Sequence, residues 1–182
     1  MLNGSIDVGE LPAPLGRLHA AVNARDAKAV ATCCAENIVW DDPAAQQPLQ
    51  GREAVYRFHR DGMFRSIPDV HIELVDGPYL SPDGSRVAVR LHISGTMLGP
   101  LEPPGFAPTG APIEFETAEF SELASGLLVR HRVVLDMLAL ARQIGAAPEA
   151  GGFADRANVW LQHFLAWRSR RQHRTFPVER QC

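Results

Sequence analysis

The sequence predicts an α+β domain in which N-terminal helices pack on one face of a curved antiparallel sheet, with a further helix at the C-terminal end. Apolar residues first recur at helical spacing, as at Leu15, Leu18 and Val22. From Val70 onward the spacing changes to two, as expected for strands. Helices followed by consecutive strands favour segregation of the helices to one sheet face. A curved sheet closed by helices leaves a cone-shaped barrel with a mouth suited to a small molecule.

The first third of the chain is predicted to be mainly helical. Asp26 lies where it would cap a second helix. Residues 37–42 then form a short strand, which ends at Pro43. A third helix begins near Gly51 and places Phe58 on its inner side.

The next part of the chain is predicted to form a meander of strands. Asp83-Gly84 is a dipeptide typical of hairpin turns, and Ser125-Gly126 marks a second turn. Alternating apolar residues predict strands over residues 70–74, 86–93, 113–122 and 127–136.

The segment 94–112 contains five prolines and four glycines between two predicted strands. A loop of this length is unusual in a compact domain and is typically a lid or a binding loop. We therefore expect it to cover the mouth of the barrel and to present Met97, Leu101 and Phe106 to a ligand. The alternative is a plain surface excursion.

The charges divide the chain into two parts. Residues 1–152 carry 12 Lys and Arg against 19 Asp and Glu, whereas residues 153–182 carry six Arg against two acids. We predict a barrel domain over 1–152 and a basic amphipathic helix with a tail over 153–182. The acidic barrel does not favour binding to nucleic acid.

The C-terminal helix is predicted to place Trp160, Phe164 and Trp167 on one stripe beside several arginines. We expect this stripe to pack on the barrel or across a homodimer, because aromatic residues beside arginines suit an acidic protein surface. Binding to anionic membranes or nucleic acid is the alternative, although such helices usually carry lysines and this segment has none.

Composition predicts a cytoplasmic protein. Hydrophobic residues make up 46% and charged residues 21% of the 182 residues, as in globular domains. The start of the chain lacks the pattern of a signal peptide, and no apolar stretch approaches the ~20 residues that stable membrane insertion requires. The three cysteines, Cys33, Cys34 and Cys182, do not have the spacing of a disulfide framework.

Asp42 is the first candidate for chemistry. On a strand, Ile38, Trp40 and Asp42 point to the same side, which is the core side if the apolar residues are buried. Burial raises the pKa of a carboxyl group, as a general base near neutral pH requires. The alternative is that Asp42-Pro43 forms an ordinary turn in which the side chain binds nearby backbone. Trp40 is a candidate ligand contact beside it.

Three further candidates come from the last two strands. Asp136 ends a strand and is either a catalytic carboxylate or the N-cap of a helix that begins at Met137. Glu119 is an acid in an otherwise apolar row with Phe115 and Thr117. His131 also faces inward, although a single inward histidine is more often a hydrogen-bonded core residue than a catalyst.

We expect no metal and no cofactor. The sequence contains no His-x-x-x-His or Cys-x-x-Cys pairing of the kind that binds zinc. It also contains no glycine-rich phosphate loop after a strand and no Gly-x-Ser-x-Gly nucleophile elbow.

These residues together resemble the SnoaL-like polyketide cyclase and ester cyclase branch of the nuclear-transport-factor-2-like superfamily. The resemblance runs from about Leu15 to Gly145. Its marks, in chain order, are Ala-Val-Asn-Ala-Arg-Asp26, Ile-Val-Trp-Asp-Asp-Pro43, Leu-Gln-Gly-Arg52, Pro-Asp-Val70, Pro-Thr-Gly110, Gly-Leu-Leu-Val-Arg-His131 and Asp136 followed by Gln143-Ile-Gly145.

The resemblance implies a cone-shaped barrel, usually dimeric, in which an acidic residue moves protons on a polyketide-like or terpenoid substrate. Cyclases of this kind use an aspartate on the last strand, which Asp136 matches, and ketosteroid isomerases use an aspartate before proline, which Asp42 matches. This chain departs from the family in three places. Leu18 stands where the isomerases have a tyrosine, and Val134 and Met97 stand where ester cyclases often have tyrosine and histidine.

The sequence therefore predicts a cofactor-independent cyclase or isomerase that acts on an apolar small molecule and forms a homodimer. Asp136 or Asp42 would be the base, and a second acid would protonate or hold the developing enolate. The alternatives are an epoxide hydrolase and a non-catalytic ligand-binding or dimerisation module, since one fold hosts many functions.

Overall fold

The computed structural model describes residues 10–101 and 105–173. The chain divides into two compact units, with the boundary between Ala146 and Ala147. The first unit holds the sheet and the helices that cover it, and the second holds one long helix. Residues 174–182 of the predicted tail lie outside the described residues.

Two short helices begin the first unit. Helix α1 (Ala13–Asn23) buries Leu15, Leu18 and Val22, so the predicted helical face is confirmed. Helix α2 (Ala27–Thr32) is capped as predicted, because the Ala29 N–H donates to the Asp26 side chain at 2.9 Å. Their apolar faces form part of the core against the sheet.

A second helical region consists of α3 (Arg52–Arg57), a π-helical turn (Phe58–Met63) and α4 (Phe64–Ser66). Val55 and His59 lie one turn apart, and both are buried. A π-helical turn is a common feature of functional sites, because its wider spiral changes the direction in which side chains point. This region supplies part of the wall of the site described below.

The sheet has six strands in the order β2-β1-β6-β5-β4-β3. The strands are β1 (Cys34–Asp41), β2 (Leu49–Gln50), β3 (His71–Leu80), β4 (Arg86–Thr96), β5 (Pro112–Ala124) and β6 (Leu127–Leu135). The predicted α+β fold class is confirmed.

One strand pair differs from the predicted antiparallel pattern. Strands β1 and β6 run parallel, with Trp40 beside His131, whereas the other pairs are antiparallel. A parallel pair requires a long connection, and here most of the unit lies between the two strands. The sheet does not close on itself, because β2 and β3 remain its edges.

The alternation on the central strands sorts residues between the two faces of the sheet. Val87, Val89 and Leu91 on β4 are buried, while Arg86 and Arg90, at the alternate positions, are exposed. Since side chains alternate along a strand, one face joins the core and the other meets solvent. The predicted period of two is thereby confirmed.

Helix α5 (Met137–Gln143) follows β6 and returns to the sheet. The Gln143 side chain accepts a hydrogen bond from the Glu114 N–H at 2.9 Å and donates one to the Glu114 carbonyl at 2.8 Å. This paired contact fixes the end of α5 to β5. Leu140 and Ile144 are buried in a second apolar cluster with Met97 and Ile113.

The second unit contains helix α6 (Phe153–His173). Asp155 accepts a hydrogen bond from the Gly151 N–H at 2.9 Å near the helix start. The rings of Trp160 and Phe164 are stacked with centroids 6.1 Å apart, and the Trp167 ring lies 6.0 Å from that of Phe164. In the described part of the chain, no helix is both long and apolar enough to cross a membrane.

Candidate active site

A cavity lies between the helices of the first unit and the inner face of its sheet. It encloses about 100 Å³, which is room for several water molecules or a small organic ligand. Most of its wall is apolar. The polar side chains that interrupt this wall are His19, Asp42, His59, Ser66, Thr117 and Glu119.

Asp42 follows directly after β1 and is 6% exposed. Its Oδ1 accepts a hydrogen bond from the Ala44 N–H at 2.8 Å, so the turn holds the carboxyl group in place. The two predicted placements of the Asp42 side chain therefore occur together: it binds nearby backbone, and it is buried in the cavity wall.

The environment of Asp42 favours its protonated form. Burial raises the pKa of Asp42 to about 6, although the Ala44 N–H opposes this shift, and the charge of Glu119 raises the pKa further. The indole N–H of Trp40 stabilises the carboxylate without forming a well-aligned hydrogen bond. A carboxyl group with a pKa near 6 exchanges protons readily at neutral pH.

Glu119 lies on the inner face of β5 and is 8% exposed, as its position in the apolar row predicts. Its Oε2 lies 3.5 Å from Nε2 of His19 and 3.6 Å from Nε2 of His131. Burial alone would raise the pKa of Glu119, but His131 and His19 outweigh it and lower the pKa. Glu119 is therefore an anion at neutral pH.

His131 lies behind Glu119 and is fully buried. The strand register explains its contacts, because Ser121 on β5 and Trp40 on β1 are its direct neighbours across the sheet. The Ser121 Oγ lies 2.8 Å from Nδ1 of His131, and the Trp40 ring centroid lies 4.0 Å from that of His131. Burial lowers the pKa of His131, so its imidazole is neutral at pH 7.

His59 is a further buried imidazole, and it lines the cavity. Its Nδ1 lies 2.8 Å from the Val55 carbonyl oxygen, an acceptor, so Nδ1 carries the proton of the neutral ring. Burial lowers the pKa of His59 to about 4. His59 is therefore neutral across the range in which Asp42 titrates.

Several buried polar atoms of this region lack a hydrogen-bond partner among the described residues. They are His19 Nε2, Trp40 Nε1, Thr117 Oγ1, Glu119 Oε2 and His131 Nε2. Buried polar groups are nearly always paired in folded proteins, and unpaired ones commonly mark functional sites or ligand positions. Their concentration around Glu119 and Trp40 identifies this end of the cavity as the candidate active site.

Of the five residues predicted to contact a ligand, four line the cavity, namely Trp40, Phe58, Met97 and Leu101. Phe106, by contrast, is not part of the cavity wall. It pairs with Leu101 through a short antiparallel bridge and packs against the cluster that contains Met97. The bridge directs Phe106 onto this cluster. The prediction that Phe106 faces the ligand cavity is therefore wrong.

Asp136 lies outside the cavity, so the expectation that it faces the cavity together with Asp42 is wrong. It is exposed, and its Oδ1 accepts hydrogen bonds from the Leu138 N–H at 3.0 Å and the Ala139 N–H at 2.9 Å. The reason is the strand alternation, because His131 and Val133 face inward and even-numbered residues of β6 face outward. Asp136 serves as the N-cap of α5.

Two residues of the site were missed in the sequence. His19 lies beside Leu18 on the buried face of α1, and the spacing from Leu15 to His19 is one helical turn. His59 has the same relation to Val55. The i to i+4 spacing to a buried apolar residue is the signal that identifies both histidines as inward-facing.

Comparison with known proteins identifies relatives of the first unit. The family model for SnoaL-like polyketide cyclases matches residues 14–144. A candidate SnoaL-like polyketide cyclase from Jannaschia sp. CCS1 has a TM-score of 0.64 at 19% identity, covering 77% of this chain and 99% of its own. No curated protein sequence matches the chain.

Two further structures are similar. A protein with a ketosteroid isomerase-like fold from Catenulispora acidiphila, bound to trimethylamine, has a TM-score of 0.62 at 17% identity, covering 75% of this chain and 95% of its own. IdmH from Streptomyces antibioticus, a candidate polyketide cyclase, has a TM-score of 0.56 at 25% identity, covering 75% and 99%. The predicted α+β fold agrees with these neighbours.

Proposed function

This chain belongs to the SnoaL-like polyketide cyclase family, and we propose that it is a cofactor-independent acid–base enzyme, a cyclase or an isomerase, acting on an apolar polyketide-like or terpenoid molecule. The proposal rests on one observation above all: two carboxyl groups, Asp42 and Glu119, line the same apolar cavity. Their pKa values are shifted in opposite directions. Such a pair is typical of sites that transfer protons.

Asp42 is the proposed base. It removes a proton from the carbon next to a substrate carbonyl, and the electrons of the C–H bond move into an enolate. In a cyclase, the enolate carbon attacks a second carbonyl carbon of the substrate, and the new alkoxide takes the proton back from Asp42. In an isomerase, Asp42 returns the proton to another carbon. Either sequence regenerates the carboxylate and requires no additional reagent.

Thr117 is the proposed hydrogen-bond donor to the enolate oxygen. It lies two residues before Glu119 on the same face of β5, lines the cavity, and has a buried hydroxyl without a partner among the described residues. A donor already in place where negative charge develops stabilises the transition state more than the ground state.

An enzyme fits the cavity better than a non-catalytic binding module. A binding module for an apolar ligand requires an apolar cavity with few polar groups that fix orientation. Here Asp42 and Glu119 are both buried at a cost in solvation, and several hydrogen-bonding atoms remain unsatisfied. Burial of two carboxyl groups that destabilises the fold favours a catalytic role for Asp42 and Glu119.

The test is proton exchange on a simple ketone. The apolar bicyclic ketone 2-tetralone, dissolved in D₂O with the protein, is followed by ¹H NMR, because its α-protons exchange for deuterium whenever a base removes them. We expect the wild-type chain to accelerate the exchange and Asp42→Asn to lose at least 100-fold of that acceleration, the usual scale of a general base (~10²–10⁴).

The matched control is Asp41→Asn, which changes the neighbouring, half-buried carboxyl group that contacts Arg132. Its exchange rate should stay within about twofold of wild type, since surface ion pairs contribute little. Equal exchange rates for wild type and Asp42→Asn would refute the proposed base.

We also propose that the chain is a homodimer. Phe120 and Val134 are 51% and 45% exposed on the outer face of the sheet. Opposite charges flank them, as in the pairs Arg90–Glu116 at 3.7 Å and His92–Glu114 at 3.2 Å. A second copy rotated by a two-fold axis could cover this apolar patch and pair the charges.

The cysteines support a cytoplasmic location, which we likewise propose. Cys33 and Cys34 are buried free thiols. Burial raises the pKa of Cys34 to about 12, so its thiol is unreactive at neutral pH. Thiols kept reduced are typical of the cytosol.

A further inference from the structure

His19 has an arrangement that the proposed base Asp42 does not explain. Its imidazole lines the cavity with a side chain that is 10% exposed. Nε2 faces the Glu119 carboxylate at 3.5 Å, while Nδ1 forms no hydrogen bond to any described residue. One nitrogen is thus directed at a fixed anion, and the other remains available.

We infer that His19 and Glu119 form a second proton-transfer pair, in which Nδ1 of His19 accepts the hydrogen of a weakly acidic hydroxyl group on the substrate. The inference deepens the proposed function, on which it rests, and specifies the substrate class as an apolar ring compound that carries a phenolic or enolic hydroxyl. His19 would be a catalytic residue, with Glu119, His131 and Ser121 as positioning residues.

The tautomer of His19 follows from its surroundings. Because Glu119 is an anion and can only accept hydrogen bonds, the proton of a neutral His19 belongs on Nε2. The lone pair is then on Nδ1. An imidazole with one N–H oriented by a carboxylate and its other nitrogen free is the arrangement of a general base in hydrolytic triads.

Glu119 is itself held from behind. Nε2 of His131 lies 3.6 Å from the same Oε2 atom that faces His19, and Ser121 pairs with Nδ1 of His131 at 2.8 Å. Because the Glu119 carboxylate can only accept, the proton of a neutral His131 belongs on Nε2, and the Ser121 hydroxyl then donates to Nδ1. The contacts to Glu119 are longer than hydrogen bonds, and such contacts commonly tighten when a substrate binds.

The proposed step transfers the proton of the substrate hydroxyl group to Nδ1 of His19. The substrate O–H bond breaks, its electrons remain on the oxygen as a phenolate or enolate, and the proton forms a bond to Nδ1. The imidazolium that results faces the Glu119 carboxylate, which stabilises it. The other titratable side chains of the cavity wall are Asp42 and His59, and His59 stays neutral near pH 7.

The first test is the tautomer of His19 in the ¹⁵N-labelled full chain. Long-range ¹H–¹⁵N correlation spectra distinguish protonated from unprotonated ring nitrogens, and the His19 signals are assigned by their loss in His19→Gln. We expect the proton on Nε2 and a mixture of tautomers in Glu119→Gln. Glu116→Gln, which changes an exposed acid on the outer face of the same strand, should leave the His19 signals unchanged.

The second test compares 2-naphthol with 2-methoxynaphthalene, which has a similar shape but lacks the hydroxyl hydrogen. We expect 2-naphthol alone to shift the Nδ1 resonance of His19. His19→Phe should weaken 2-naphthol binding about tenfold, as loss of one hydrogen bond does, and change 2-methoxynaphthalene binding less than about twofold.

A proton on Nδ1 of wild-type His19, or an unchanged Nδ1 resonance with 2-naphthol, would overturn the inference. Equal effects of the two compounds would overturn it as well. These measurements require no turnover, so their outcome is separate from that of the 2-tetralone exchange. If 2-tetralone fails to exchange while Nδ1 responds to 2-naphthol, the proposed base Asp42 is refuted and the His19–Glu119 pair is retained.

Discussion

Ser121 and His131 occupy directly opposed positions on β5 and β6, and the serine hydroxyl lies 2.8 Å from Nδ1 of the imidazole. The pair is buried in the sheet, where water does not compete. The Ser121 contact holds the His131 ring in place, with Nε2 at 3.6 Å from the Glu119 carboxylate that lines the cavity.

Ser121→Ala is expected to destabilise the fold because it leaves a buried imidazole nitrogen without a partner. The free energy of unfolding should fall by about 1–3 kcal/mol, measured by urea denaturation. Ser94→Ala on β4 is the control, since the hydroxyl of this half-buried serine makes no hydrogen bond to a described residue. Equal stabilities of the two variants would show that the Ser121 contact contributes nothing.

The pKa of Asp42 makes stability depend on pH. The folded-state pKa is about 6, whereas an unfolded aspartate titrates near 3.9, so the folded chain binds the proton more tightly. The stabilising contribution of the protonated form is therefore complete below pH 4 and is lost as the pH rises through 6. The difference between the folded and unfolded pKa values corresponds to about 3 kcal/mol.

Asp42→Asn should accordingly be more stable than wild type at pH 8 and similar to it at pH 4. Glu119, whose pKa is lowered, is present in both wild type and Asp42→Asn. The difference in stability between these two proteins therefore reports on Asp42 alone. Thermal melts across this range measure the difference. Exchange of 2-tetralone should follow the ionised form and rise with pH through an inflection near 6. A stability difference that does not vary with pH would contradict the raised pKa.

Asp136 is expected to matter for folding and not for chemistry. Asp136→Ala removes the acceptor for two backbone N–H groups at the start of α5, which should cost about 1 kcal/mol. Asp136→Ser retains a capping oxygen and should recover most of that loss. Both variants should exchange 2-tetralone at the wild-type rate once folded, and a large drop in rate with unchanged stability would restore Asp136 to the site.

The sequence predicted the elements better than it predicted the site. Alternation on β5 placed Glu119 among buried residues without ambiguity, because a strand in a half-buried sheet has only two sides. The same rule applied to β6 places His131 inward and Asp136 outward. The resemblance to cyclases with an aspartate on the last strand favoured Asp136 against this alternation, and the alternation was correct.

The grouping of His19 with Glu119 could not be predicted from spacing alone. One residue lies on α1 and the other on β5, separated by 100 positions, and only the tertiary packing brings their side chains together. The parallel pairing of β1 with β6 was missed for the same reason. It is this pairing that places Trp40 against His131.

Leu101 is predicted to contribute to ligand binding more than to stability. It is half-buried, lines the cavity, and belongs to the long loop between β4 and β5. Leu101→Ala should weaken the binding of 2-tetralone by about 1–2 kcal/mol, the value of partly lost apolar contact, and change the melting temperature little.

Met97 on the same loop provides the contrast, because it is 2% exposed and belongs to a buried apolar cluster. Met97→Ala should lower the free energy of unfolding by about 2–5 kcal/mol. Binding measured by calorimetry and stability measured by urea denaturation separate the two effects. If Leu101→Ala binds 2-tetralone as tightly as wild type, the loop does not act as a lid.

The last prediction concerns α6, whose aromatic stripe we propose to bury against protein. Trp160 and Trp167 are 70% and 50% exposed in the single chain and lie two helical turns apart on one side of the helix. Exposed aromatic residues of this size usually mark an interaction surface. Sedimentation velocity of the full chain should therefore show self-association that Trp160→Glu/Trp167→Glu reduces at least tenfold. The control Asn158→Glu/Ser169→Glu adds the same charges on the opposite side of the helix. Its self-association should stay within about threefold of that of wild type, since exposed charges contribute little. If both double variants associate like wild type, and only the tryptophan variant loses binding to anionic vesicles, the stripe binds membranes and the proposed protein contact is wrong.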